Sequence, residues 1–191
     1  MDGTKILGIL GSPRSRGNTE VLLRAAAEGV AAVGGAFEWV RLADGAVREC
    51  DGCHVCWSGK SCAKKDAMNE IYPKIAVADG VIFGTPVYWY GPTALMKMFM
   101  DRFVYFNCEA NREQIRGTVA ATIIPFEETN PETAAPVTDF FSRALSYLEM
   151  PIVDQLTVPG VTRRGEVKQQ PDRLASATEL GRRVVEAARK S

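Results

Sequence analysis

Several things are scarce in this chain of 191 residues. It has one histidine, His54, and no surplus of either charge, with 23 Lys and Arg against 23 Asp and Glu. A chain without a basic excess does not advertise a nucleic-acid or anionic-membrane partner. No apolar stretch approaches the roughly 20 residues of a membrane span. The run in MDGTKILGILGS is too short for a signal peptide, and Gly8 and Gly11 read there as turn chemistry. These absences predict a cytoplasmic protein whose cysteines are reduced, which disfavours structural disulfides. Both nucleotide fingerprints are missing as well. The first glycine-bearing loop lacks the Gly-Lys-Ser/Thr ending of a triphosphate loop, with Asn18 standing where the lysine would be, and G-x-G-x-x-G does not occur. No acid–base dyad or activated nucleophile stands out, so no catalytic side chain is expected.

What is present is a repeated strand–helix pattern. Lys5–Leu10 and Gly80–Gly84 are short apolar runs with little alternation, as expected of strands covered on both faces. Residues 37–42, 118–124 and 152–158 complete five strands. Helices are expected after the loop that ends at Asn18, with Leu22, Ala26, Val30 and Val33 as its stripe, and over 66–77, 93–106, 137–148 and 171–189. Five β-α units with buried strands make one doubly wound α/β domain over 1–191, with a cysteine-rich loop at 50–62. Such sheets bind ligands beyond the carboxyl ends of their strands.

Two loops at those ends carry chemistry. Gly11-Ser12-Pro13-Arg14-Ser15-Arg16-Gly17-Asn18-Thr19 joins a strand to a helix N-terminus, where free N–H groups and the helix dipole favour an anion. Neutral donors plus two arginines, without lysine or a magnesium ligand, suit a single terminal phosphate. The same residue types also serve as plain caps and turns. After the third strand, Thr85-Pro86-Val87-Tyr88-Trp89-Tyr90-Gly91 supplies three aromatics, suited to a flat conjugated ring or to a packed aromatic cluster. A phosphate cradle beside an aromatic wall specifies FMN better than either loop alone.

The segments GSPRSRGNT and TPVYWYGPTALMKMFMDR, with the cysteine loop between them, resemble the flavodoxin-like NADPH-dependent FMN reductase family over residues 4–165. The cysteine spacing is most similar to its iron–sulfur flavoprotein branch. The resemblance implies a flavodoxin-like five-stranded parallel sheet in the order 2-1-3-4-5 with helices on both faces, an FMN cofactor, and a homodimer or homotetramer. By similarity Ser12, Arg14, Asn18 and Thr19 hold the phosphate, and Pro86, Val87, Tyr88 and Trp89 border the isoalloxazine ring. Two departures stand out. The segment after the fourth strand, Ile124-Pro125-Phe126-Glu127-Glu128, is not glycine-rich, and Asp66-Ala67-Met68 has one aspartate before the methionine where the family tends to carry two.

Cys50, Cys53, Cys56 and Cys62 follow the spacing C-x2-C-x2-C-x5-C. Four thiolates in so tight a wrap can each reach a different iron of a [4Fe-4S] cubane. A single zinc ion usually takes two separated pairs and would be crowded by the third cysteine. A cluster-free redox loop, zinc and a disulfide stay open beside the cluster. Gly52 and Gly59 suit the turns of the wrap. His54 reads as an exposed loop residue and Cys108 as a buried small apolar one. The expected activity is an FMN-dependent oxidoreductase that passes electrons between NAD(P)H or a ferredoxin-type donor, the cluster and FMN. A cluster-free NAD(P)H-dependent FMN or quinone reductase and a non-enzymatic electron carrier are the alternatives.

Overall fold

Strand β1 (Lys5–Leu10) lies at the centre of a parallel sheet because its residues are apolar on both sides of the pleat: all but Lys5 are buried. It pairs with β2 (Ala36–Arg41) on one edge and with β3 (Gly80–Gly84) on the other, in the registers Ile9↔Val40 and Ile9↔Phe83. β3 pairs with β4 (Val119–Pro125), and β4 with the edge strand β5 (Ile152–Val158). The order is therefore 2-1-3-4-5, all parallel, which is the flavodoxin arrangement with its switch point between β1 and β3. The computed structural model describes residues 3–190. Residues 1, 2 and 191 of the expected domain lie outside the described residues.

Alternate residues of each strand feed two cores. Ile6, Leu10, Ile82, Ala121 and Ile123 pack against α1 (Asn18–Ala32) and α6 (Pro171–Ala188). Leu7, Ile9, Val81, Phe83, Ala120 and Ile124 face α2 (Met68–Ala76), α3 (Ala94–Asp101) and α5 (Ala135–Tyr147), with the one-turn α4 (Glu109–Arg112) at the margin. Among the described residues no helix is long and apolar enough to cross a membrane.

Helices α1 and α6 touch backbone to backbone. A Cβ at Gly29 would sit 1.9 Å from the Thr178 carbonyl oxygen, and one at Gly181 would sit 2.0 Å from that of Ala26. No alanine fits at either place without driving the helices apart. Gly181→Ala is expected to destabilise the protein by about 1–3 kcal/mol through overpacking, although alanine is the better helix former by ~1 kcal/mol. Urea unfolding measures the balance, and a gain in stability would show that the helices part freely.

The sequence pattern places one helix over 93–106, but the chain changes pitch. α3 ends at Asp101, and Arg102–Asn107 continues as a 3-10 turn. At three residues per turn, positions i and i+3 align. That puts both Phe103 and Phe106 into the core beside Phe83, Phe99 and Tyr72. The expected helix over 66–77 begins at Met68 instead, because Asp66 turns the chain and accepts the Met68 N–H at 3.1 Å.

Candidate functional site

The loop after β1 is held open by its own hydrogen bonds. Arg14 N–H donates to Ser12 Oγ at 3.3 Å, and Gly17 N–H to the Arg14 carbonyl at 3.2 Å. Among the described residues, the N–H groups of Ser15, Asn18, Thr19 and Glu20 find no acceptor, and no side chain caps the N-terminus of α1. A nest of unsatisfied donors at a helix N-terminus is what a phosphate requires. Glu20 stands just behind it, its side chain 3% exposed. Burial would raise its pKa, but hydrogen bonds from Arg24, Arg41 and the Arg16 N–H outweigh that and bring it down to about 2. Its charge is thereby spent on the scaffold, and the donors of the nest stay free for a ligand.

The aromatic loop is strained. Tyr88 and Gly91 exchange two backbone hydrogen bonds, 2.8 and 3.0 Å, around the two-residue turn Trp89-Tyr90. Both central residues lie in the left-handed region, at φ +48° and +59°. Such a turn selects Asn and Gly, and large aromatics there hold the backbone at a cost. Trp89 is 97% exposed, so its indole is not what stabilises the turn. Strain of this kind clusters at active sites and ligand clamps.

Thr93 ties the two loops together. It caps α3 by accepting the Met96 N–H, and its hydroxyl donates to the Gly11 carbonyl at 2.5 Å. Both loops then open on one cavity of about 460 Å³, within the usual range for a small-molecule site. All eight residues assigned by similarity border it: Ser12, Arg14, Asn18, Thr19, Pro86, Val87, Tyr88 and Trp89. The non-glycine segment Pro125-Phe126-Glu127-Glu128 lines it as well.

The fourth wall went unnoticed in the sequence. Val161 and Thr162, from the loop after β5, also line the cavity. Asn18 holds that loop: its side chain donates to the Arg163 carbonyl at 3.0 Å and accepts the Val167 N–H at 3.2 Å. Arg14 adds a bond to the Thr162 carbonyl at 3.1 Å. The side chain of Asn18 therefore serves the wall, and only its backbone N–H is free for a phosphate. Asn18→Ala is expected to lower both apoprotein stability and FMN affinity, by about 1–2 kcal/mol for two neutral hydrogen bonds. A fluorescence titration with unchanged affinity would separate this wall from the ligand.

The cysteine loop closes on a second, smaller cavity bordered by Cys50, Cys53, Cys56, Cys62, Tyr72, Val104 and Arg102. Gly52, His54 and Gly59 take positive φ to make the wrap. Lys64 holds Asp51 at 3.0 Å, and Asp51 accepts the Cys53 N–H. Cys56 is buried, Cys50 and Cys62 are half-buried and Cys53 is exposed. Burial, and then the three neighbouring thiols, push the Cys56 thiol up. Among the described residues no three ligand side chains converge on a point where one ion would sit. Four thiols nevertheless border the one cavity, the donor type that iron–sulfur clusters take. His54 is exposed and stacks on Trp57 at 3.9 Å. Cys108 is half-buried rather than buried, because it caps the surface turn into α4. Asp66, noted in the sequence only as a departure from the family pattern, and Arg102, assigned no role there, form an ion pair of 2.5 Å beneath the loop. Burial raises the Asp66 pKa, but Arg102 and the N–H groups of Arg48 and Met68 carry it below the usual carboxylate range.

The family model described as NADPH-dependent FMN reductase matches residues 4–158. An iron-sulfur flavoprotein of Archaeoglobus fulgidus is 31% identical over 96% of this chain and 80% of its own length. An iron-sulfur flavoprotein of Methanocaldococcus jannaschii is 44% identical over 51% of each chain, so that match spans about half of the relative. Among solved structures, the NAD(P)H:quinone oxidoreductase from Methanothermobacter marburgensis aligns with a TM-score of 0.71 at 17% identity, over 94% of this chain and 98% of that one, a likeness of fold.

Proposed function

This chain belongs to the NADPH-dependent FMN reductase family and is an FMN-dependent oxidoreductase, and from that premise we propose that its cysteine loop holds a [4Fe-4S] cluster working with the flavin. FMN, when bound, accepts a hydride and releases electrons singly, and a cluster exchanges one electron at a time. The chain's residues bind and orient. The nest at Ser15 to Glu20 takes the terminal phosphate, with Ser12, Arg14 and Thr19 around it. Pro86, Val87, Tyr88 and Trp89 take the ring, and the segments after β4 and β5 wall the cavity. Cys50, Cys53, Cys56 and Cys62 ligate the cluster. The observation that carries this reading is the meeting of unsatisfied helix-terminal donors and a strained aromatic turn on one cavity, with four thiols around another.

NAD(P)H or a ferredoxin-type protein supplies the electrons, in the cytoplasm, to a single domain spanning 1–191. Anaerobic purification followed by iron, sulfide and flavin analysis tests the cluster. Flavin without iron after attempted reconstitution would leave an NAD(P)H-dependent FMN or quinone reductase. Flavin and iron without steady-state NAD(P)H oxidation would leave an electron carrier.

The active form is a homodimer or a dimer of dimers. Leu95 and Met98 of α3 and Val104 and Tyr105 of the turn after it stay partly exposed, beside an aromatic turn whose Trp89 projects into solvent. Apolar surface of this extent on a helix and its flanking loop suits a subunit contact. Light scattering at micromolar concentration is expected to give at least twice the chain mass of 20.8 kDa. A monomer would count against the contact.

A further inference from the structure

Arg102 heads the fully buried side chains by volume and is only 1% exposed. A guanidinium taken out of water requires partners for its donors, and each partner shows what the charge is used for. Nη1 donates to Asp66 Oδ2 at 2.5 Å and to the Arg48 carbonyl at 2.9 Å. Nη2 donates to Cys62 Sγ at 3.2 Å. The first two bonds fasten the 3-10 turn to the base of the cysteine loop. The third ends on a sulfur.

This placement is overdetermined. Asp66 accepts the backbone N–H groups of Arg48 and Met68 at 3.0 and 3.1 Å, so it cannot follow the guanidinium if that shifts. The Tyr72 hydroxyl donates to the Arg102 carbonyl at 3.0 Å and pins the backbone from the other side. Of the four cysteines, Cys62 alone receives a donor from a charged side chain, among the described residues. Cys56 instead points its own sulfur at the Val104 carbonyl, 3.9 Å away.

We propose that Arg102 is a positioning and tuning residue for the cysteine loop, whose Nη2–H bond to Cys62 Sγ makes the bound cluster easier to reduce and makes Cys62 unlike its three fellow ligands. The inference rests on the reading that these cysteines hold a cluster. A charge-assisted donor on a ligand sulfur stabilises the state with more negative charge, and hydrogen bonds to sulfur are among the determinants of cluster potential. The step is the gain of one electron from a low-potential reductant, dithionite in the experiment. No bond is made or broken and no proton moves, because the guanidinium keeps all five of its N–H groups.

Arg102→Lys separates tuning from scaffolding. A lysine can still pair with Asp66, but it is a single-point donor and cannot span carboxylate and sulfur together. Wild-type and Arg102→Lys proteins are prepared anaerobically, assayed for iron, sulfide and flavin, and titrated with dithionite and mediators under electron paramagnetic resonance. The expected result is an intact cluster in both, with the ratio of reduced to oxidised cluster in the variant about tenfold lower at the wild-type midpoint, or 59 mV for a one-electron couple. An unmoved midpoint with full iron and a lowered melting temperature would mean that the ion pair only holds the loop, and would overturn the inference alone. Wild-type protein without iron would overturn the cluster reading and the inference with it. If the variant does not fold, wild-type protein labelled with 15N-guanidino arginine decides: electron–nuclear double resonance on the reduced cluster should show a 15N coupling, and its absence overturns the assignment.

Discussion

Cys53→Ser protein, prepared anaerobically, is expected to lose its iron and sulfide and to keep its full complement of FMN. The separation follows from the architecture. The cysteine loop leaves the sheet after β2 and rests on Arg102, Tyr72 and Val104, on the α2 and α3 face. The cavity proposed for the flavin draws on the loops after β1, β3, β4 and β5 and shares no lining residue with the cysteine cavity. Cys53 is exposed and its Sγ fills no core position, so the change to serine leaves packing intact and removes only a thiolate. Two-electron reduction of the flavin by NAD(P)H should survive, and one-electron exchange with a ferredoxin-type donor should be abolished. Cys108→Ser should alter neither. Retention of iron by Cys53→Ser at the wild-type ratio would remove Cys53 from the ligand set. Parallel loss of flavin would show that the two sites are one unit.

Replacing Trp89-Tyr90 by Asn-Gly is expected to move stability and FMN affinity in opposite directions. Two non-glycine residues in the left-handed region cost about 1–3 kcal/mol each, and Asn-Gly adopts this turn without that strain. The apoprotein should therefore melt higher. The same change deletes two aromatic faces from the mouth of the cavity, and FMN affinity should fall at least tenfold, about 1.4 kcal/mol. Scanning calorimetry of the apoprotein and a fluorescence titration of the flavin measure the two halves. Higher stability with unchanged affinity and a lower molecular mass would transfer the role of the turn to subunit contact.

The central strands were legible because burial on both faces leaves uninterrupted apolar runs, and Lys5–Leu10 and Gly80–Gly84 lie where the pattern placed them; the half-buried edge strand Ile152–Val158 also lies where it was expected. Sheet order came from the resemblance, since no periodicity encodes which strand is central. The phosphate and aromatic loops could be read because each is contiguous. What escaped notice was assembled from distance. Asn18 meets Arg163 and Val167 across nearly 150 positions, and Arg102 reaches back to Asp66 and Cys62 across 36 and 40. The one available signal for Arg102 was a charged residue set among Phe99, Met100, Phe103 and Phe106, where an arginine has no business unless it is paired. The change of helical pitch after Asp101 was invisible because the same residues satisfy either period over a single turn.

The glycine contact between α1 and α6 has a consequence for the order in which the protein can mature. The phosphate nest sits on the first turn of α1, near the start of the chain, yet α1 finds its closest support in Thr178 and Gly181 of the last helix. The wall that Asn18 fastens belongs to residues 161–167 and emerges almost as late. A chain growing from the ribosome at about 5–20 residues per second thus exposes the loop after β1 early but completes the packing of α1 only when α6 has been made. The cysteine cavity is bordered by no described residue later than Val104, so its lining has been synthesised when little more than half of the chain is made. That lining is accordingly complete in the nascent polypeptide, whereas the cavity beyond the strand ends is lined only once residues 161 and 162 have been made.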